Sequence, residues 1–385
     1  MGITFNPLHS QASLTTTTIY IYINNIVDFY DLYNIGLKNM TQNKLFFKAL
    51  KSEPVDRIPF WYMRQAGRYL PEYMERRRTA GSFLDLCYSP DFAVEVTLQP
   101  LNRYHMDAAI LFSDILVIPH AMGQHLDFKQ GEGPVLNPLN TKEKINELTL
   151  DHLHDHLAPV YETVRRLSQQ IPKTTALIGF AGAPWTVATY MVQGHGSPDQ
   201  AAARSLAYQE EGAFEKLIDL LITATSEYLI KQIENGAEVI QLFDTWAGNL
   251  PDDQFRKWAI EPVRKIIQNI RKNHSEIPII GFPRGAGCRY PEYIRDTGVS
   301  AVSIDTTMPL AWVRDHIQPL CPVQGNLDPL LLVAGGDMLK NRVIEILDCL
   351  SGGPFIFNLG HGIVPQTPPE NVAFVSDIIR NYEKK

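Results

Sequence analysis

From Asp56 onward the chain repeats one pattern eight times. A short apolar, β-rich run ends at a polar or glycine-rich motif, and a longer, helix-like segment follows. The runs are Ile58–Met63, Ala108–Phe112, Ala176–Phe180, Glu238–Phe243, Pro278–Phe282, Ala301–Ile304, Pro322–Gln324 and Pro354–Asn358. Alternating strands and helices dictate a parallel sheet with right-handed crossovers. Eight such units predict an α/β fold, a single (β/α)8 TIM barrel. An open doubly wound sheet would normally carry a G-x-G-x-x-G turn after its first strand, and none is present. The second and third runs are far apart, so their connection is expected to be extended, with an insertion or extra helices over roughly 123–173. Helices are expected over Ala201–Gly236, with Gly236 as the stop, and over Pro251–Asn273.

Residues 1–39 differ from the rest. They hold a Thr15–Asn25 stretch rich in Thr, Ile and Tyr, with no Lys or Arg before Lys38. A signal peptide needs a basic start and a transit peptide is arginine-rich, so neither fits. The apolar run is interrupted by Asp28 and Asp31 and is too short and polar to span a membrane. The segment reads as an extension outside the domain, with Met40 as a candidate start and the barrel over 40–385.

The net charge of −7 argues against a general nucleic-acid surface. A local arginine cluster can still bind a small anion. Cys87, Cys288, Cys321 and Cys349 form no C-x-x-C pair and suggest no disulfide framework, so a reducing, cytoplasmic setting fits best.

In a (β/α)8 barrel the motifs that end the strands converge on one face, where active sites lie. The first is Arg64-Gln-Ala-Gly-Arg68. Small residues between the arginines let the backbone approach a ligand, and guanidinium groups bind carboxylates or phosphates bidentately. Two solvated arginines on a surface turn are the alternative, which the apolar lead-in disfavours. Asp114 closes the second run. A carboxylate in so apolar a stretch is costly unless paired or used. Tyr190, past the third run, offers a hydroxyl, although pattern alone favours an aromatic in the helix core. Thr245 offers a hydroxyl, or serves as a cap or turn residue. His361 lies between two glycines, as an anion ligand, a proton carrier or a turn histidine pinned to the backbone.

Metal sites find little support. His152, His154 and His156 alternate, but in a helix only His152 and His156 share a face. A solvated acidic helix start accounts for them. No H-x-C with a later ligating cysteine is present.

The motifs Met63–Pro71, Phe112–Leu116, Gly179–Thr186 and Asn358–Gly362, in this order, closely resemble signatures of the uroporphyrinogen decarboxylase family. The resemblance runs from about Lys44 to Asn381. It implies a homodimeric barrel that uses neither metal nor organic cofactor. The implied substrate is a porphyrinogen whose four acetate arms become methyl groups, giving coproporphyrinogen and CO2. It also implies that Arg64, Gln65, Ala66, Arg68, Asp114, Tyr190, Thr245 and His361 bind substrate, with Asp114, Arg64 and Tyr190 catalytic. Thr245 stands where some members carry Ser, a change that keeps the hydroxyl.

Overall fold

The computed structural model describes residues 44–129 and 133–383. The expected extension, 1–39, lies outside the described residues. Seven strands form one parallel sheet: β1 (Ala108–Ile110), β4 (Ala176–Gly182), β5 (Val239–Asp244), β6 (Ile279–Pro283), β7 (Ala301–Ser303), β8 (Val323–Leu327) and β9 (Phe355–Leu359), paired in that order. The remaining strands, β2 (Leu126–Lys129) and β3 (Gly133–Leu136), make a separate antiparallel hairpin within the long connection after β1. A short helix, Lys142–Asn146, follows it, and then the crossover helix Leu153–Gln170.

The predicted first strand is not a regular strand. It makes a single parallel bridge, Phe60 to Phe357 of β9. The Phe357 N–H donates to Pro59 O at 2.9 Å, and Trp61 N–H donates to Phe357 O at 3.3 Å. On the other side, Asp107 N–H donates to Phe60 O at 3.0 Å, and Phe60 N–H donates to Asp107 Oδ2 at 3.0 Å. Arg57 grips both oxygens of Asp107, at 2.8 and 2.6 Å. The segment therefore sits between β9 and β1 and closes the ring. A buried carboxylate and its arginine replace ladder bonds there, because Pro59 has no N–H to contribute.

The other runs coincide with strands to within a few residues. Strand interiors are buried, as expected for a parallel sheet covered by helices. Across the barrel, Trp61 Nε1 donates to Gln324 Oε1 at 2.7 Å, and Gln324 Nε2 donates to Ser303 Oγ at 2.7 Å. Gln241 lies 3.2 Å from the same amide, so these buried polar groups satisfy one another.

Two helices differ from expectation. Ala201–Gln209 and Glu211–Glu234 are separate, broken at Glu210, whose backbone (φ −130°, ψ 54°) is not helical. Gly236 does follow the second as its stop, with φ +112°. Over Pro251–Asn273 the α-helical pieces Asp252–Phe255 and Glu261–Arg271 flank a π-helical turn, Arg256–Ile260. Pro262 cannot donate to the carbonyl four residues back, and the wider turn accommodates its ring.

Candidate active site

The C-terminal strand ends bring several basic side chains together. The chain leaves the first barrel segment at Met63, whose N–H is held by Asn358 Oδ1 at 3.0 Å. It then turns sharply at Arg64, a non-glycine residue with φ +59°. Such a left-handed residue is uncommon and persists where the surroundings impose it. Gly362 is part of that surrounding. A Cβ at Gly362 would stand 2.4 Å from Arg64 Cδ and 2.5 Å from Cγ, so the arginine stem occupies the space beside this glycine.

From Arg64 to Tyr69 no backbone N–H finds a partner among the described residues. Successive free N–H groups form a concavity suited to an anion. Neither Arg64 nor Arg68 makes an ion pair or side-chain hydrogen bond among the described residues, and solvent reaches both. Gln65 behaves differently. Its side chain is buried with neither amide atom hydrogen-bonded, while its carbonyl accepts from the Tyr69 hydroxyl at 2.8 Å. Of this motif, the arginines and the backbone face a ligand, and the Gln65 side chain packs inward.

Asp114 lies four residues beyond β1, in a loop rather than within the strand. Its Oδ1 accepts from Leu116 N–H at 2.9 Å, which fixes the carboxylate. Burial pushes its pKa above the ordinary value, and the Leu116 N–H and the charge of Arg64 pull it back. Crowding by protein lowers the pKa of Arg64, while Asp114 and Tyr190 oppose that shift. Tyr190 sits in the last turn of helix Pro184–Gln193, half-buried, with its ring 6.5 Å from that of Trp246. Desolvation raises its pKa, and it too feels Asp114 and Arg64. Arg64, Asp114 and Tyr190 thus share one electrostatic environment, although 126 residues separate the first from the last (190 − 64).

Thr245 is half-buried in the turn after β5. Its neighbours fix that turn. Thr186 Oγ1 donates to Asp244 Oδ1 at 2.6 Å and accepts from Trp246 N–H at 3.1 Å, and Trp185 Nε1 donates to Trp246 O at 3.1 Å.

His361 follows β9. Its Nδ1 accepts from Gly362 N–H at 2.7 Å, so the ring proton resides on Nε2. Desolvation, with the positive charges of Arg64 and Arg284, lowers its pKa to about 3. His361 is therefore neutral near pH 7. It offers a hydrogen-bond donor through Nε2 rather than an exchangeable positive charge.

Two residues that sequence reasoning gave no role stand beside these. Arg284, directly after β6, is half-buried, unpaired among the described residues, and close enough to influence His361. Asp305 accepts from Gly285 N–H at 2.8 Å, Tyr290 Oη at 3.1 Å and Thr307 N–H at 2.9 Å. These bonds hold the turns after β6 and β7 together. The available signal was position: both open motifs that end strands.

No group of three or more His, Cys, Asp or Glu residues able to hold a metal ion occurs among the described residues. The alternating histidines diverge. His152 faces Asp155 at 3.8 Å, His154 contacts Tyr161 Oη at 3.0 Å, and His156 meets His120 at 3.1 Å.

The architecture is that of a (β/α)8 barrel whose strand ends gather arginines round a carboxylate. Residues 41–382 match the family described as uroporphyrinogen decarboxylase (URO-D), and the chain belongs to that family. The uroporphyrinogen decarboxylase of Rhodospirillum rubrum is 57% identical over 337 residues, covering 88% of this chain and 97% of that one. That of Mesorhizobium japonicum is 54% identical over 342 residues, covering 89% and 99%. Among solved structures, a methyltransferase from Methanosarcina mazei superposes with a TM-score of 0.70 at 20% identity, covering 88% of this chain and 98% of that one. At that identity the likeness concerns the fold.

Proposed function

We propose that Arg64, Arg68, Asp114, Tyr190, Thr245 and His361 bind and decarboxylate a porphyrinogen at these strand ends. The chain is a uroporphyrinogen decarboxylase, a carboxy-lyase of porphyrin and heme biosynthesis. The observation that carries the site assignment is the meeting of an uncommitted Arg64 with Asp114 and Tyr190 at the strand ends.

A pyrrole acetate cannot simply lose CO2, because the electrons of the breaking C–C bond need a sink. Protonation of the pyrrole α-carbon makes an iminium-like cation that accepts them. Loss of CO2 leaves an exocyclic methylene; a second proton delivered to it completes the methyl group, and the α-carbon then gives up the first proton as the pyrrole regains its aromaticity. The substrate ring thus supplies the electron sink that cofactors supply in other decarboxylases. Asp114 stabilises the cation as it develops. Its carboxylate is already fixed by Leu116 N–H, so little reorganisation is needed. Arg64 and Arg68, with the free N–H groups between them, hold carboxylate arms and orient the reacting ring. His361 donates through Nε2 to a carboxylate or a ring substituent. Tyr190 and Thr245 supply hydroxyl hydrogen bonds, and Gln65 and Ala66 contribute through the backbone.

The reading extends to the state of the protein. We place it in the cytoplasm, as a homodimer working without metal or organic cofactor. No described helix is long and apolar enough to cross a membrane. Turnover of uroporphyrinogen III by the purified chain in the presence of a chelator tests the proposal. Formation of coproporphyrinogen III and CO2 at an unchanged rate supports it. Loss of activity with the chelator, restored by a metal ion, rejects the cofactor-free mechanism.

A further inference from the structure

The pair His120 and His156 takes no part in the chemistry above. His120 is in the last turn of helix Val117–Ala121, which begins three residues after Asp114. His156 is in the first turns of the crossover helix Leu153–Gln170, and the two helices pack together. Nδ1 of His120 is 3.1 Å from Nε2 of His156. The same Nδ1 is 3.0 Å from the Tyr88 hydroxyl. The imidazoles stand nearly perpendicular, with centroids 4.6 Å apart, and the Tyr88 ring lies 5.0 Å from His156.

Three polar atoms therefore crowd one position. An imidazole Nδ1 has one lone pair or one proton, so it cannot serve both neighbours fully. A cation between the two nitrogens removes that conflict. Metal–nitrogen bonds of about 2.0–2.1 Å and a 3.1 Å separation give an N–metal–N angle of about 95–100°. That angle suits tetrahedral or octahedral coordination. Chelation asks for the tautomers in which Nδ1 of His120 and Nε2 of His156 both present lone pairs, each ring keeping its proton on the other nitrogen.

The surroundings favour this state. His156 is exposed and His120 half-buried, so an ion has access and keeps its remaining positions for water.

We propose that His120 and His156 form a bidentate surface site for a first-row divalent transition-metal ion, with Tyr88 beside it as a hydrogen-bond partner for a metal-bound water. Imidazole suits Ni2+, Cu2+ and Zn2+. The site bridges two helices, so occupancy should be read as thermal stabilisation as well as heat.

The test is calorimetric titration of the full chain, stripped with EDTA and desalted, with Ni2+ as the probe. Nickel is chosen because the exposed thiol of Cys288 competes more strongly for zinc. Three single variants are compared, His156→Gln, His120→Gln and His152→Gln, each first checked for wild-type circular dichroism and Tm without metal. We expect one saturable site per chain, a rise in Tm on occupancy, and affinity weakened tenfold or more in His156→Gln and His120→Gln. His152→Gln should bind as wild type does. Absence of a saturable site, or equal affinity in His156→Gln and wild type, overturns the proposal.

Discussion

Gly362 and Arg64 fit against each other through the space that a side chain at 362 would fill. A Cβ there would lie 2.5 Å or less from two carbons of the arginine stem. The last strand-end motif therefore sets the direction of the first. Gly362→Ala should push the Arg64 guanidinium from its place while leaving the barrel folded. We expect kcat/KM to fall by roughly 10- to 100-fold, as for misplacement of a positioning group, with Tm within a few degrees of wild type. Wild-type kinetics in this variant would show that the direction of Arg64 is immaterial.

Arg64→Lys tests the guanidinium itself. A lysine keeps the charge but loses the planar fork that holds a carboxylate bidentately. We expect a marked loss of kcat/KM at unchanged Tm, and a smaller loss in kcat for Arg68→Lys. The measurement is steady-state kinetics of both variants. An Arg64→Lys enzyme with normal kcat/KM would exclude a clamp.

Asp244 governs a pH effect on stability. It is fully buried, one carboxylate oxygen has no partner among the described residues, and desolvation raises its pKa to about 7. Its folded pKa lies above the unfolded value near 4. Its contribution is therefore fully present below pH 4 and is lost as pH rises to 7. The cost at pH 8 is on the order of 4 kcal/mol at most, about 1.4 per pKa unit. Asp244→Asn can still accept from Thr186, so it should match or exceed wild-type stability at pH 8 and lose that advantage near pH 4. Urea unfolding at the two pH values measures this. A variant less stable than wild type at pH 8 would refute the assignment.

A chain starting at Met40 should fold and turn over as the full chain does. Lys44, at the start of the described domain, is anchored by Nζ contacts to Glu238 at 2.6 Å and to Thr175 O at 2.9 Å. The truncation leaves these contacts in place. Thermal unfolding compares the two chains. A drop in Tm of more than about 5 °C, of order 1–2 kcal/mol, would place residues 1–39 within the domain.

Much of the barrel was legible because each strand is an apolar run closed by a polar motif, and a parallel barrel places all such closures on one face. The convergence of Arg64, Asp114 and Tyr190 was legible only through that fold rule and the family resemblance, since no local spacing connects them. Other features were not. Tyr190 reads as an ordinary helix aromatic until Trp246 and the strand ends are placed around it. The neutrality of His361 depends on one backbone N–H and on Arg64 and Arg284, which the sequence does not put near it. Arg284 was hidden in a glycine-rich stretch that reads as a turn. The break at Glu210 left no signal in apolar spacing, and the expectation of one helix over Pro251–Asn273 passed over Pro262, which follows the irregular turn. The closure at Phe60 rests on the Arg57–Asp107 pair, 50 residues apart in sequence.

The central claim is that a fixed carboxylate at Asp114 stabilises the protonated pyrrole. Leu116 N–H can still donate to the amide oxygen in Asp114→Asn, so the loop and the fold should persist. Burial raises the pKa of Asp114, which moves the acid limb of kcat/KM upward from that of a free aspartate, with activity falling as pH drops and the charge is neutralised. The decisive measurement is the rate of coproporphyrinogen III formation by wild type and Asp114→Asn, both in EDTA, across pH 5 to 8. The account predicts a loss of about 100-fold or more in the folded variant, as for removal of a preorganised charge. Near-normal turnover by a variant with wild-type Tm would contradict it.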